Sequence, residues 1–160
     1  MARDVLGCKQ PNQSCMKMNF DSRGNLYQTV ELTFKQFRKA FGINAGRLNK
    51  IDTAITFFKI FSSCGCKTVY IGGSFASTKE NPADIDLCFD ITPVDLEKLK
   101  KKFPEFFDFN KIGEIRKHKA CHILFCDTKT TYLLEMLEAD RDGNSKGLVK
   151  LRLKEGDDYD

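Results

Sequence analysis

Tyr70-Ile71-Gly72-Gly73-Ser74 is followed, after nine intervening residues, by Asp84-Ile85-Asp86-Leu87. The first piece closes a β-rich run that begins at Lys67. Its two glycines let the backbone turn tightly and approach a ligand closely. The second piece opens a run in which Ile85, Leu87, Phe89 and Ile91 alternate with Asp84, Asp86, Cys88 and Asp90. That period of two predicts a strand with one apolar face and one acidic face. Asp84 and Asp86 therefore project from the same side. Two neighbouring carboxylates repel each other unless a cation lies between them. Mg²⁺ takes oxygen ligands and completes its shell with water and substrate phosphates, so the pair suits a metal bound together with a nucleoside triphosphate. The Ser74 hydroxyl adds a donor for a phosphate oxygen. A short helix starting near Ser74 would aim free backbone N–H groups at the same place. Taken singly, a Gly-Gly-Ser is a turn and an Asp-x-Asp a solvated face. On consecutive strands at short separation they are more specific.

The rest of the chain surrounds these strands with helices. Thr33 caps a short helix in which Phe34, Phe37 and Phe41 share a face. A longer helix over 45–63 carries Leu48, Ile51, Ile55 and Phe58 at helical spacing, with Gly65 as its stop. Thr92-Pro93-Val94-Asp95 reads as a helix start, running to Phe103 and ended by Pro104. A strand is expected over 119–126, a helix over 128–139, a turn at Asp140-Arg141-Asp142-Gly143-Asn144 and a closing strand over 147–153. The order predicts an α/β (α+β) fold, a small mixed β-sheet packed against helices. The organisation expected is a polar N-terminal arm over 1–19, a domain over 20–153 and an acidic, mobile tail over 154–160.

The 160 residues are enough to bury a core without staples. Fourteen Phe and no Trp point to a core packed largely with phenylalanine. The net charge of +4 is compatible with nucleotide or nucleic-acid partners without arguing for them. No apolar run approaches membrane-spanning length and the start of the chain has no signal-peptide segment, so a cytoplasmic protein is expected. Seven Cys, an odd number without framework spacing, then read as free thiols. His118, Cys121, His122 and Cys126 straddle a predicted strand and point to opposite faces, which disfavours a zinc site.

The joined string from Gly72 to Asp86, through Phe75-Ala76-Ser77-Thr78-Lys79 and Asn81-Pro82-Ala83, resembles the signature of the polymerase-β-like nucleotidyltransferases. It is closer still to short bacterial and phage-associated nucleotidyltransferase-like proteins of unknown function. Phe20-Asp21-Ser22-Arg23-Gly24-Asn25-Leu26 and the stretch from Asp140 to Val149 extend the resemblance over about 19–153. It implies a minimal nucleotidyltransferase fold and metal-dependent transfer of a nucleotide from an NTP to a hydroxyl. Gly72, Gly73 and Ser74 would hold the triphosphate. Asp84 and Asp86 would be catalytic and hold Mg²⁺ or Mn²⁺, with up to two ions. The acceptor would be a protein, an RNA or a small molecule, and the setting implied is toxin–antitoxin or phage defence. A cognate partner or a second copy of the chain would complete an acceptor site.

The family usually supplies a third carboxylate from a later strand. Here the matching strand has His122 at that position and Asp127 just past its end; Asp90 lies on the right face but too far along. A histidine can accept a proton or ligate a metal, or stand in the cleft without a chemical role. Without that acid the alternative is a degenerate fold that binds a nucleotide or a partner without catalysis. Lys79 and Lys146, with Arg141 beside the latter, are the basic candidates for phosphate contact. Asp140-x-Asp142-x-Asn144 resembles the start of a calcium loop, but its glycine is misplaced and no Glu closes it, so it reads as a turn. Lys98, Lys100, Lys101 and Lys102, continued by Arg116, Lys117, His118 and Lys119, form the wet side of a helix or an RNA-attracting face. Few exposed aromatics are expected beside them, which argues against a stacking platform for single strands.

Overall fold

Local chemistry places the helices. Thr33 and Gln36 form a capping box, each side chain receiving the other's backbone N–H, and this starts α1 (Phe34–Phe41). Asn44 caps α2 (Ala45–Ser63) by accepting the Arg47 N–H. The 92–95 segment starts its helix later than its sequence suggests. The Asp90 carboxylate takes both the amide and the hydroxyl of Thr92, so Asp95 becomes the cap of α3 (Leu96–Lys102). A helix the sequence reading lacks, α4 (Phe109–Lys119), starts at Asp108, which accepts the Asn110 and Lys111 amides. None of its residues is fully buried, so it has no clean apolar stripe to read. The expected 128–139 helix shortens to α5 (Tyr132–Leu137), because Asp127 folds residues 127–130 into a turn through the Lys129 and Thr130 amides.

The computed structural model describes residues 2–3 and 18–159. Ala2–Arg3 (β1) pairs antiparallel with Met18–Asn19 (β2), and Met18 is buried in the core; the rest of the expected N-terminal arm lies outside the described residues. A five-stranded mixed sheet follows, ordered β3 (Val30–Leu32), β7 (Val149–Arg152), β4 (Thr68–Gly72), β5 (Ile85–Asp90), β6 (Cys121–Cys126). The outer pairs β3–β7 and β5–β6 are parallel, and β4 runs antiparallel to both β7 and β5. This is the small α+β fold expected. The short parallel strand β3 is an addition.

Alternation along β5 separates two cores. Ile85, Leu87 and Phe89 face the main core under α1 and α2, where Phe61 stacks on Phe89 at 3.8 Å between ring centroids. Cys88 faces a smaller one with Leu124, Cys126, Leu137 and Leu148. The tail is not loose: Tyr159 is buried and packs edge-on against Phe34 at 5.1 Å.

Arg47 is the largest fully buried side chain, at 1% exposure. Among the described residues it has no carboxylate partner. Its guanidinium instead donates to the carbonyls of Phe41, Phe75, Ser77 and Lys79 and lies 4.6 Å over the Phe75 ring. Burial pushes its pKa below the ordinary arginine value, so the carbonyl dipoles must offset a substantial desolvation cost. Three of those carbonyls belong to the loop joining Gly-Gly-Ser to Asp84, and the Asn44 side chain donates to a fourth point on it, the Glu80 carbonyl, at 2.9 Å. Replacing Arg47 by Met would leave several buried carbonyls without donors. The expected loss is about 3 kcal/mol in urea unfolding; a change below about 1 kcal/mol would contradict the clamp.

Burial pushes the Cys66 and Cys121 thiols up to about 12, whereas an unfolded thiol ionises near about 8.5. As pH rises, the unfolded state therefore releases these protons first. Their contribution is complete below about pH 8.5 and is lost toward pH 12, by up to ~1.4 kcal/mol per pH unit for each thiol. Urea midpoints at pH 8 and pH 10 should separate more in the wild type than in Cys66→Ala/Cys121→Ala; equal separation would refute this.

Candidate active-site cleft

The two sequence pieces meet at one end of the sheet. In the antiparallel β4–β5 register Gly72 lies opposite Asp86, and in the parallel β5–β6 register Asp86 lies opposite His122. Gly73 follows with φ +63°, the left-handed region that favours glycine. A Cβ built there would stand 2.0 Å from Asp86 Oδ2, so this carboxylate lies directly over the turn. Its other oxygen, Oδ1, is 2.8 Å from His122 Nδ1. Asp84 accepts a hydrogen bond from Arg116 Nε at 2.7 Å. That bond, followed by the nearby charges of Asp84 and Asp86, holds the Arg116 pKa above its ordinary value, outweighing partial burial. Both acids therefore share one neighbourhood with the glycine turn.

The expected helix after Gly73 is a single 3-10 turn, Gly73–Ala76. It is too short for the helix-dipole argument to carry weight. Ser74 is half-buried, and its hydroxyl makes no hydrogen bond to another described residue; its carbonyl accepts from the Ser77 hydroxyl. Lys146 is half-buried too, and burial lowers its pKa against the attraction of Asp86 and Asp140. Lys79 is fixed through its backbone, by Arg47 and Ser77, while its side chain is exposed. It has no ion pair with Asp84 or Asp86 among the described residues.

The other acids lie elsewhere. Asp127 is five residues beyond His122, about 16 Å along an extended strand, and is committed to its turn; the Lys129 and Thr130 amides lower its pKa. Asp90 is committed to Thr92. Among the described residues no group of three or more His, Cys, Asp or Glu is arranged to hold a metal ion. Asp84 and Asp86 are the carboxylates that could share one divalent cation, and Asp84 would then exchange its bond from Arg116 for the ion. No third acid of the described residues stands beside them for a second ion.

Sequence reading misses Arg116 as the partner of Asp84, because the helix that carries it has no periodic signal. It also misses an internal likeness. Asp21-Ser22-Arg23-Gly24-Asn25 and Asp140-Arg141-Asp142-Gly143-Asn144 are the same turn twice. In each, the aspartate Oδ1 accepts the amides two and four residues on, and the glycine is left-handed at φ +83° and +78°. The bridges Phe20↔Leu26 and Ala139↔Ser145 close the two small hairpins. They dock on each other through Asn25 Nδ2 to Asp140 Oδ2, 3.2 Å, and Arg23 to Asp140, 3.4 Å. One turn is tied to the motif loop by the Thr78 N–H to Gly24 carbonyl bond, and the other leads into Lys146. The Asp140 turn thus uses its oxygens on amides and on Arg23, as a structural turn rather than a calcium loop.

A family model, DUF6932, described as a family of unknown function, matches residues 18–152. The chain belongs to this family. No curated protein and no solved structure matches it. The DUF6932 match begins at Met18 and ends with β7, so it takes in both twin turns, the whole five-stranded sheet and every residue of the cleft.

Gly73 and Gly143 provide a paired test of the cleft. Both have left-handed φ, but a Cβ at Gly143 meets nothing within 4 Å. Gly143→Ala should cost about 1–2 kcal/mol from the backbone alone. Gly73→Ala should cost at least ~1 kcal/mol more, because the Asp86 carboxylate must move. Equal losses in urea unfolding would mean that Asp86 does not lie over the turn.

Proposed function

We propose that the cleft binds a nucleoside triphosphate with one divalent cation and transfers its nucleotide to an acceptor hydroxyl, as in polymerase-β-like nucleotidyltransferases. The observation that carries this reading is the position of Asp86, one carboxylate oxygen over Gly73 and the other on His122. Asp84 and Asp86 would hold Mg²⁺ or Mn²⁺. Once bound, the ion neutralises charge on the triphosphate. The small turn at Gly72 and Gly73 admits the phosphates to the backbone, and the Ser74 hydroxyl donates to them. Lys146 draws the phosphates in by charge, and Arg116 is a second cation within the same neighbourhood.

His122 completes the chemistry. Asp86 fixes its ring, as a carboxylate commonly orients a histidine base. In the transfer the acceptor oxygen bonds to the α-phosphorus, the α–β bridging bond breaks, pyrophosphate leaves and His122 takes the hydroxyl proton. A histidine here does the proton-accepting work of the missing carboxylate while leaving a one-ion site. A protein or RNA acceptor in a toxin–antitoxin or phage-defence setting fits the phage-associated resemblance. No described helix is long and apolar enough to cross a membrane, and the buried free cysteines suit the reducing cytoplasm.

A second reading, nucleotide or partner binding without turnover, is favoured by one observation. Arg116 already neutralises Asp84 at 2.7 Å, so the cleft is part-balanced without a cation. Transfer of α-labelled phosphate from each of four NTPs with Mg²⁺, to cell protein and to RNA, separates the two. We expect labelling that falls roughly a hundredfold or more in His122→Asn and in Asp86→Asn. Mg²⁺-dependent NTP binding with no labelling supports the second reading. No binding and no labelling overturn both.

A further inference from the structure

We infer that the surface formed by α3, α4 and the segment between them binds single-stranded nucleic acid. The binding surface stands apart from the transfer reading; that the bound strand is the acceptor rests on it.

Charge is the first observation. Residues 98–119 carry eight Lys or Arg against three Asp or Glu, a net of +5, while the whole chain is +4. The entire basic excess of the protein lies in this stretch, and outside it the chain is slightly acidic. Lys100, Lys101 and Lys102 are all exposed and, with Lys98, outnumber Asp95 and Glu97 in the lining of one surface hollow. Lys98 and Lys111 are partly engaged, with the Ser63 carbonyl and Glu114. A polyanion is the partner such a surface fits.

Rings are the second. Phe109 is 94% exposed at the start of α4, and Phe107, at 44%, stacks on Phe125 with 6.4 Å between centroids. The expectation of few exposed aromatics beside the lysines is therefore wrong. Phe109 presents a flat apolar face to water at the start of α4, a helix with four Lys or Arg against one Glu, and an unpaired base can stack on that face while its phosphate meets the basic side chains. A paired duplex hides those faces, and an acidic peptide without aromatics offers none.

Direction is the third. Phe109 and Arg116 are seven residues apart, two helical turns, so they share a face of α4 about 10 Å apart along its axis. Gly113 lies between them, and a Cβ there would meet nothing within 4 Å, which leaves the path open. Arg116 in turn touches Asp84. A strand stacked on Phe109 and running along this face arrives at the cleft.

Fluorescence anisotropy with labelled 12-nucleotide single-stranded RNA, single-stranded DNA and a matched duplex tests this on the full chain without NTP. Binding of either single strand more tightly than the duplex is expected; an RNA-over-DNA preference would identify the sugar recognised. Phe109→Ala should weaken binding between roughly five- and a hundredfold. Replacing Lys100, Lys101 and Lys102 by Gln should reduce the slope of log affinity against log salt by about 2, at ~0.7 per lost phosphate contact. These exposed positions leave the fold intact, which circular dichroism checks. No binding at low salt, equal or tighter binding of duplex, tighter binding of poly-glutamate, or affinity unmoved by Phe109→Ala would each overturn the inference. A failed transfer assay would not touch it.

Discussion

Asp86 stands where two strand registers cross. The antiparallel pairing with β4 sets Gly72 opposite it and brings the left-handed Gly73 beneath its carboxylate. The parallel pairing with β6 sets His122 on its other side. A one-residue slip in either pairing would turn the acid to the opposite face and put an apolar residue in the cleft. Register is held by the alternation of β5, whose Ile85, Leu87 and Phe89 must all stay in the main core. The packing that stabilises the sheet is thus the packing that aims the acid. Stability and the placement of Asp86 are linked through one alternating strand rather than through separate devices.

The loop between the two motif pieces depends on a different interaction. Its first residues, Phe75 to Ser77, are buried, and buried peptide groups need partners. Arg47 reaches up from α2 and gathers three of its carbonyls on one planar, many-donor group. A lysine would offer three donors at a single point and could not span them. The twin aspartate–glycine–asparagine turns brace the same loop from the other side, through Gly24 and Thr78, and lead the chain to Lys146. The cleft therefore rests on three supports: the sheet below, the arginine clamp on one flank and the paired turns on the other.

Much of this was legible in the sequence. The strand positions followed from alternation and glycine punctuation, and α1 and α2 followed from their caps and phenylalanine spacing. Gly72, Gly73, Asp86 and His122 come together as their strand positions implied. What stayed hidden has physical causes. α4 buries no residue fully, so it lacks an apolar period, and with it Arg116 could not be placed on Asp84. β3 has three residues, too few for alternation to register. Arg47 sits on an apolar helix face as a single cation, and only the fold reveals that carbonyls surround it. The acidic tail read as loose because its composition masks one anchoring ring, Tyr159. Thr92 and Pro93 resemble a helix start, yet Asp90 captures Thr92 first.

In the proposed function Asp84 and Asp86 grip a cation together with a triphosphate above the glycine turn. Crystals grown with Mn²⁺ and a non-hydrolysable NTP analogue would test it most directly through the anomalous signal of manganese. One ion is expected between the two carboxylates, with phosphate oxygens beside Ser74 and Lys146. An analogue bound away from the turn, or an ion absent from this acid pair while Arg116 still holds Asp84, would contradict it.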